Sequence, residues 1–149
     1  MKNNINWNFD NTYSKLPEPF REKINPVKVE NPKLILLNES LAKDLNLDFS
    51  DISQSELSAI FTGNELPKNS NSIAQAYAGH QFGHFTMLGD GRAVLIGEHV
   101  SKNNHRYDIQ FKGSGKTAFS RNGDGRAALG PMLRAVSYTH LTLPTICSV

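Results

Sequence analysis

Apolar and polar positions along the chain follow two rhythms, and a proline- and asparagine-rich stretch precedes both. The first 32 residues hold Pro17, Pro19, Pro26 and Pro32 among many asparagines, which predicts an extended segment wrapped over the rest. Leu34–Leu37 is an apolar run of strand length. Asn38 can cap a helix through positions 39–47, with Leu37, Leu41 and Leu45 on one face. Ser53 and Glu56 form a capping box for a second helix that turns Leu57, Ile60 and Phe61 inward and ends at Gly63 and Pro67. A polar loop follows over 64–72, then a run of small and aromatic residues over 72–88. Positions 93–100 predict a strand, 101–106 a polar turn, and 107–112 a second strand of period two. In that second strand Tyr107, Ile109 and Phe111 share one face, while Asp108, Gln110 and Lys112 share the other. The two strands predict an antiparallel hairpin with the Lys112 ammonium on its polar face. A helical pattern starts at Ala127, with Pro131 suited to its first turn. The class expected is α+β.

Composition narrows the setting. At 149 residues the chain is about one domain long, with 38% hydrophobic and 20% charged residues. A net charge of +2 is too small to imply a nucleic-acid partner, and no apolar run approaches the ~20 residues that cross a bilayer. The N-terminus has no apolar signal core, and the lone Cys147 excludes an internal disulfide framework, so a cytoplasmic setting is expected. Every Lys, Arg, Asp and Glu lies within positions 1–134, and residues 135–149 read as a threonine-rich β-type run discontinuous with what precedes it.

The candidate chemistry sits between positions 89 and 127. The pentapeptide Gly-Asp-Gly-Arg-Ala occurs at 89–93 and again at 123–127. Glycines around an Asp let backbone N–H groups turn toward an anion, and the following Arg offers a bidentate fork. Between the repeats lies Lys112-Gly-Ser-Gly-Lys-Thr117, where a lysine point charge and flanking glycines suit a phosphate. A Walker A assignment fails, because Gln110 stands where the first glycine is required and residues 117–123 do not predict a helix. His80 and His84 are four apart, the spacing of two metal ligands on a helix. Gly79 and Gly83 weaken a helix there, so packed or hydrogen-bonded structural histidines are expected instead. A single-stranded RNA surface built from Arg92, Lys112, Lys116, Arg121 and Arg126 is the weaker alternative, given the near-neutral charge.

Strand, glycine-rich turn, strand, and a lysine on the next strand resemble the N-lobe of a protein-kinase-like fold, although the kinase Gly-x-Gly-x-x-Gly is absent. The segments 75–84 (Gln-Ala-Tyr-Ala-Gly-His-Gln-Phe-Gly-His), 88–93 (Leu-Gly-Asp-Gly-Arg-Ala), 108–113 (Asp-Ile-Gln-Phe-Lys-Gly) and 122–127 (Asn-Gly-Asp-Gly-Arg-Ala) resemble the selenoprotein O (YdiU) family, over residues 5–134. The resemblance implies a pseudokinase fold with antiparallel hairpins and N-terminal helices, of which this chain would hold the N-lobe and lack the C-lobe. It implies transfer of AMP from ATP to protein hydroxyl groups (Ser, Thr or Tyr), with UMP and Mn described for some bacterial members, and otherwise Mg. Protein substrates and a nucleotide are thus the implied partners, with no nucleic acid and no membrane. Carried over by position, Gly89, Gly91 and Arg92 belong to the nucleotide-binding turn, Lys112 to the phosphates, and Asp124 and Gly125 to the second turn. Asp124, as a carboxylate, is expected to accept hydrogen bonds from the nucleotide or from neighbouring N–H groups. The family's two later phosphate-binding arginines, catalytic Asp and metal-binding Asn and Asp fall beyond residue 134, so the fragment itself is expected to be inactive. Where the family continues Leu-Arg-Glu, this chain has Leu133-Arg134-Ala135, and residues 135–149 resemble an adaptor-derived extension foreign to the family. A non-catalytic nucleotide-binding pseudokinase scaffold is the alternative reading.

Overall fold

The computed structural model describes residues 5–81 and 83–140; the last nine residues, Cys147 among them, lie outside that description. Its centre is the hairpin of β4 (Ala93–Val100) and β5 (Arg106–Lys112), paired antiparallel from Ala93↔Lys112 to Val100↔Arg106 with a bulge between Leu95 and Gly97. In β5 the period-two pattern holds: Phe111 is buried and Ile109 half-buried, while Asp108, Gln110 and Lys112 are exposed. β4 is buried from Val94 to His99, apolar through Ile96 and closed by Glu98 and His99, whose polar atoms find partners in the N-terminal segment and at Leu45.

β2 (Ile73–Gln81) belongs to two pairings. Its first residues join β1 (Arg21–Lys23) and, through Ile73↔Leu95, β4; its remaining length pairs with β3 (His84–Gly89) from Ala76↔Gly89 to Gln81↔His84. Among the described residues the result is a five-stranded antiparallel sheet in the order β1-β2-β4-β5, with β3 beside β2. The α+β class is therefore as the sequence predicts. The β2–β3 hairpin projects, leaving Tyr77, Phe85 and Met87 exposed.

Helices α1 (Glu39–Asp44) and α2 (Gln54–Thr62) cover one face. Asn38 accepts the Leu41 N–H, and Ser53 and Glu56 exchange bonds reciprocally, each cap contributing about 1 kcal/mol. Gly63 ends α2 at φ 79°. α2 supplies Ile60, and the chain after α1 supplies Leu45 and Leu47, to a cluster with Ile5. Val94, Ile96 and Phe111 form a second, Phe61 of α2 packs on it, Ile109 packs on both, and Leu41 of α1 is left half exposed.

The N-terminal segment does wrap the sheet. It crosses β4 at Gly97, where a Cβ would overlap the Phe9 ring, and bridges at Phe9↔His99. Glu98, buried, accepts from Thr12 Oγ1 and the Tyr13 N–H, each at 2.6 Å. His99, also buried, places Nε2 2.7 Å from the Leu45 carbonyl and accepts the Asn8 N–H at Nδ1. Trp7 stacks on Phe9 at 5.3 Å and meets His99 edge-on. Outside, Arg106 bonds Asp10 Oδ2 at 2.6 Å, and that hydrogen bond holds the Asp10 carboxyl below the ordinary range.

Three expectations are corrected. Leu34–Leu37 is not a strand: no neighbouring strand pairs with it, Ile35 and Leu36 are 66% and 61% exposed, and the flanking leucines edge a cavity near Trp7 and Leu41. An apolar run of four becomes a strand only where a partner accepts its backbone bonds. His80 and His84 are not packed in the interior, although His84 keeps a bonding partner. They are exposed near the tip of the β2–β3 hairpin, and because His80 pairs with Phe85 and Gln81 with His84, they point to opposite faces. Finally, the uncharged terminal run is not β-type where it is described, since α3 (Leu129–His140) continues through residues 135–140.

Candidate functional site: two glycine turns and a strand lysine

The first repeat is the link between β3 and β4. Asp90 clasps β2 at Gln75, donating its N–H to the Gln75 carbonyl at 2.9 Å and accepting the Gln75 N–H on Oδ2 at 3.1 Å. Partial burial raises the Asp90 carboxyl above its ordinary value, opposed in part by that bond. The turn's own carbonyls are held from the other side. Thr117 Oγ1 donates to the Asp90 carbonyl at 2.6 Å and Ser120 Oγ to the Gly91 carbonyl at 2.5 Å. Gly89 is required sterically: a Cβ there would run into the face of the Phe119 ring.

The second repeat meets the first because the chain doubles back after β5. Gly113 donates its N–H to the Arg92 carbonyl at 2.6 Å, fixing the residue after Lys112 to the first turn. Ser114 then bridges to Arg126, and Gly115 donates to the Gly125 carbonyl at 3.2 Å. Gly113, Gly115 and Gly125 hold φ values of 81°, 116° and 69°, a left-handed path that a Cβ would strain at each point. At Gly125 a Cβ would also fall on the Gly115 carbonyl. Asp124 turns its Oδ1 to the Arg126 N–H at 2.9 Å, an Asx turn.

The fold-back of 113–127 thus ties the second repeat to Arg92 and Lys112, with Gly125 buried and Gly89 and Gly91 half-buried. Arg92 and Lys112 are exposed, and Lys112 stands in register with Ala93, beside Arg92. Both aspartates direct an oxygen at a backbone N–H of the protein, which reduces the repulsion either would exert on an anion. Exposed cations combined with left-handed glycine turns make an arrangement suited to a polyphosphate. Among the described residues no group of three or more His, Cys, Asp or Glu gathers to hold a metal ion, and no helix is long and apolar enough to cross a membrane.

Sequence reasoning passed over Gln75, Thr117, Phe119 and Ser120. The Thr-x-x-Ser spacing was a usable signal, because the Thr117 N–H bonds Ser120 Oγ at 2.8 Å and closes a turn. Nothing local to Gln75 marks it as the anchor of residue 90.

A family model described as protein adenylyltransferase SelO matches residues 3–142. The chain belongs to the SelO family. Curated SelO-family relatives carry the description protein nucleotidyltransferase YdiU. That of Pelagibacter ubique is 71% identical over 130 residues, covering 87% of this chain and 27% of the relative. Those of Nitrosococcus oceani and Anoxybacillus flavithermus are 59% and 60% identical, over 87% and 88% of this chain and 26% and 27% of theirs. The chain therefore spans about a quarter of the length of these SelO-family nucleotidyltransferases.

Proposed function

We propose that residues 5–134 form the nucleotide-binding part of a protein adenylyltransferase with a pseudokinase-like fold, in which this sheet is the N-lobe. Its reaction is transfer of AMP from ATP, or UMP from UTP, to a Ser, Thr or Tyr hydroxyl of a protein. The observation that carries the reading is the fold-back of residues 113–127. It ties the second Gly-Asp-Gly-Arg-Ala turn to Arg92 and Lys112 while each aspartate is occupied by a backbone N–H. Family membership and the relatives' description as protein nucleotidyltransferases support the same chemistry.

In the reaction a protein hydroxyl oxygen bonds to the α-phosphorus as the bond to the β-phosphate bridging oxygen breaks, and pyrophosphate leaves. Arg92 and Lys112 neutralise charge that builds on the phosphate oxygens in that step. The glycine turns admit the triphosphate to close range of the backbone. Gly89, Gly91 and Gly125 contribute shape, and Asp124 accepts hydrogen bonds from the nucleotide or from neighbouring N–H groups such as that of Arg126. A divalent metal, Mg or Mn, would shield the phosphates further. A general base takes the hydroxyl proton as the new bond to phosphorus forms.

The test uses labelled ATP and UTP with this chain and with a version extended by its native downstream sequence. Label appearing on protein hydroxyls in the extended version, and lost in Lys112→Ala, is the expected result. Lys112→Ala should weaken nucleotide binding by roughly 10- to 100-fold with an unchanged circular dichroism spectrum, as loss of a hydrogen bond to a charged group predicts. Binding without transfer under any divalent metal would favour the non-catalytic scaffold. Unchanged binding in Lys112→Ala would remove the role assigned to that lysine.

A further inference from the structure

A cavity of about 360 Å³ opens beside the first glycine turn, with Gly89 in its wall. Tyr77 and Leu88, cross-strand partners in the β2–β3 hairpin, form one side, and Phe119 and Arg121 form another. The volume is at the low end for a ligand pocket, large enough for a flat heterocycle but not for a whole nucleoside triphosphate.

Arg121 stands out by its backbone. Six non-glycine residues among those described have positive φ; five are asparagines, which tolerate that region, and the sixth is Arg121 at 54°. A long side chain held there costs on the order of 1 kcal/mol relative to glycine, and such outliers persist where surrounding bonds over-determine them. Those bonds are present. Ser120 Oγ donates to Gly91 and receives the Thr117 N–H, and the Gly123 N–H closes on the Ser120 carbonyl. The turn that carries Phe119 and Arg121 is therefore bolted to the first glycine turn.

We propose that this cavity receives the nucleobase of the bound nucleotide, with Arg121 as the residue that reads it. The inference rests on the nucleotide reading above. Tyr77, Leu88 and Phe119 supply aromatic and aliphatic surface for the faces of a planar base. The guanidinium, a flat donor-only group, stacks on the ring or donates to its acceptor nitrogens and carbonyl oxygens. The phosphates then extend from Gly89 toward Arg92 and Lys112, in the order the chain itself lays down.

Equilibrium binding of ATP, UTP and inorganic tripolyphosphate to the 149-residue chain separates the claims. Three proteins are compared: wild type, Arg121→Lys, which keeps the charge but loses the planar fork, and Arg121→Gly, which relieves the left-handed backbone. Both variants should weaken at least one nucleoside triphosphate by about tenfold while tripolyphosphate affinity in Arg121→Lys stays within about twofold. Arg121→Gly should unfold no earlier than wild type, so its loss of binding is not a loss of fold. Equal weakening of tripolyphosphate and nucleotides in Arg121→Lys, or unchanged nucleotide binding in both variants, overturns the base site and leaves the phosphate site standing. Wild type that binds tripolyphosphate as tightly as both nucleotides has the same meaning. Wild type that binds none of the three overturns the nucleotide reading itself, and this inference with it.

Discussion

The two Gly-Asp-Gly-Arg-Ala segments are identical in sequence and differ in almost everything that surrounds them. The first joins two strands, and its Asp90 reaches fifteen residues back to clasp Gln75. The second lies in irregular chain, and its Asp124 reaches two residues forward to its own turn. The first requires glycine because an aromatic ring lies on Gly89, whereas Gly125 is required by its left-handed backbone and by the carbonyl of Gly115. One pentapeptide therefore satisfies its carboxylate by tertiary pairing in one place and by local pairing in the other. What the copies share is the outcome, an Asp engaged by a backbone N–H and an Arg left at the surface.

Substitutions that treat the copies alike should expose the difference. Gly125→Ala should have the largest effect, above about 3 kcal/mol in urea denaturation, because strain and a backbone overlap add together. A loss below that found for Gly89→Ala would mean the fold-back is looser than the Gly115–Gly125 bond implies. Gly89→Ala should cost about 1–3 kcal/mol, since the Phe119 side chain can swing aside at the expense of overpacking. Asp124→Ala should cost only about 0.5–1 kcal/mol by the same measurement, one exposed hydrogen bond within a turn.

Asp90→Asn should act in the opposite direction and be smallest, a gain under about 1 kcal/mol because the group is only partly buried and partly screened. The amide oxygen can still accept the Gln75 N–H while the desolvated charge is gone. Its pH dependence has a definite sign. Burial makes the folded carboxyl titrate above its ordinary value, so the folded state holds its proton more tightly than the unfolded chain does. Wild-type stability from this group is therefore full at low pH and falls as pH rises from that value through the raised one. The advantage of Asp90→Asn should appear over that window and then level off. Equal stabilities of the two proteins at neutral pH would show that burial imposes no cost there. Asp10, Asp48 and Glu56, whose values are lowered, lose their contributions as pH falls, and they do so in both proteins.

What could be read in the sequence was what is local. Asn38, Ser53 and Glu56 cap within four residues of themselves, and the alternation from Tyr107 to Lys112 declares one strand without reference to any other. The candidate residues could be named from the pentapeptides, but not the means by which they meet. That depends on three left-handed glycines and two hydroxyl clasps, and no periodicity marks them. The failed strand at Leu34–Leu37 and the exposed histidines at 80 and 84 share one cause. Each local pattern allowed two conformations, and backbone pairing, missing at 34–37 and supplied by the β2–β3 hairpin at 80 and 84, chose between them.

The strap that carries Trp7 and Phe9 has a consequence for the chain as it is made. Its anchors on β4, Glu98, His99 and Val100, lie 85 to 92 residues further along. Translation delivers the N-terminus first, and at about 5–20 residues per second the strap waits roughly 5–20 s before its binding surface exists. During that interval a tryptophan and a phenylalanine are in water on a nascent chain, which makes this a segment open to a ribosome-bound chaperone. Docking of the strap is thus a late step, separated from the strap's own synthesis by the length of chain up to β4.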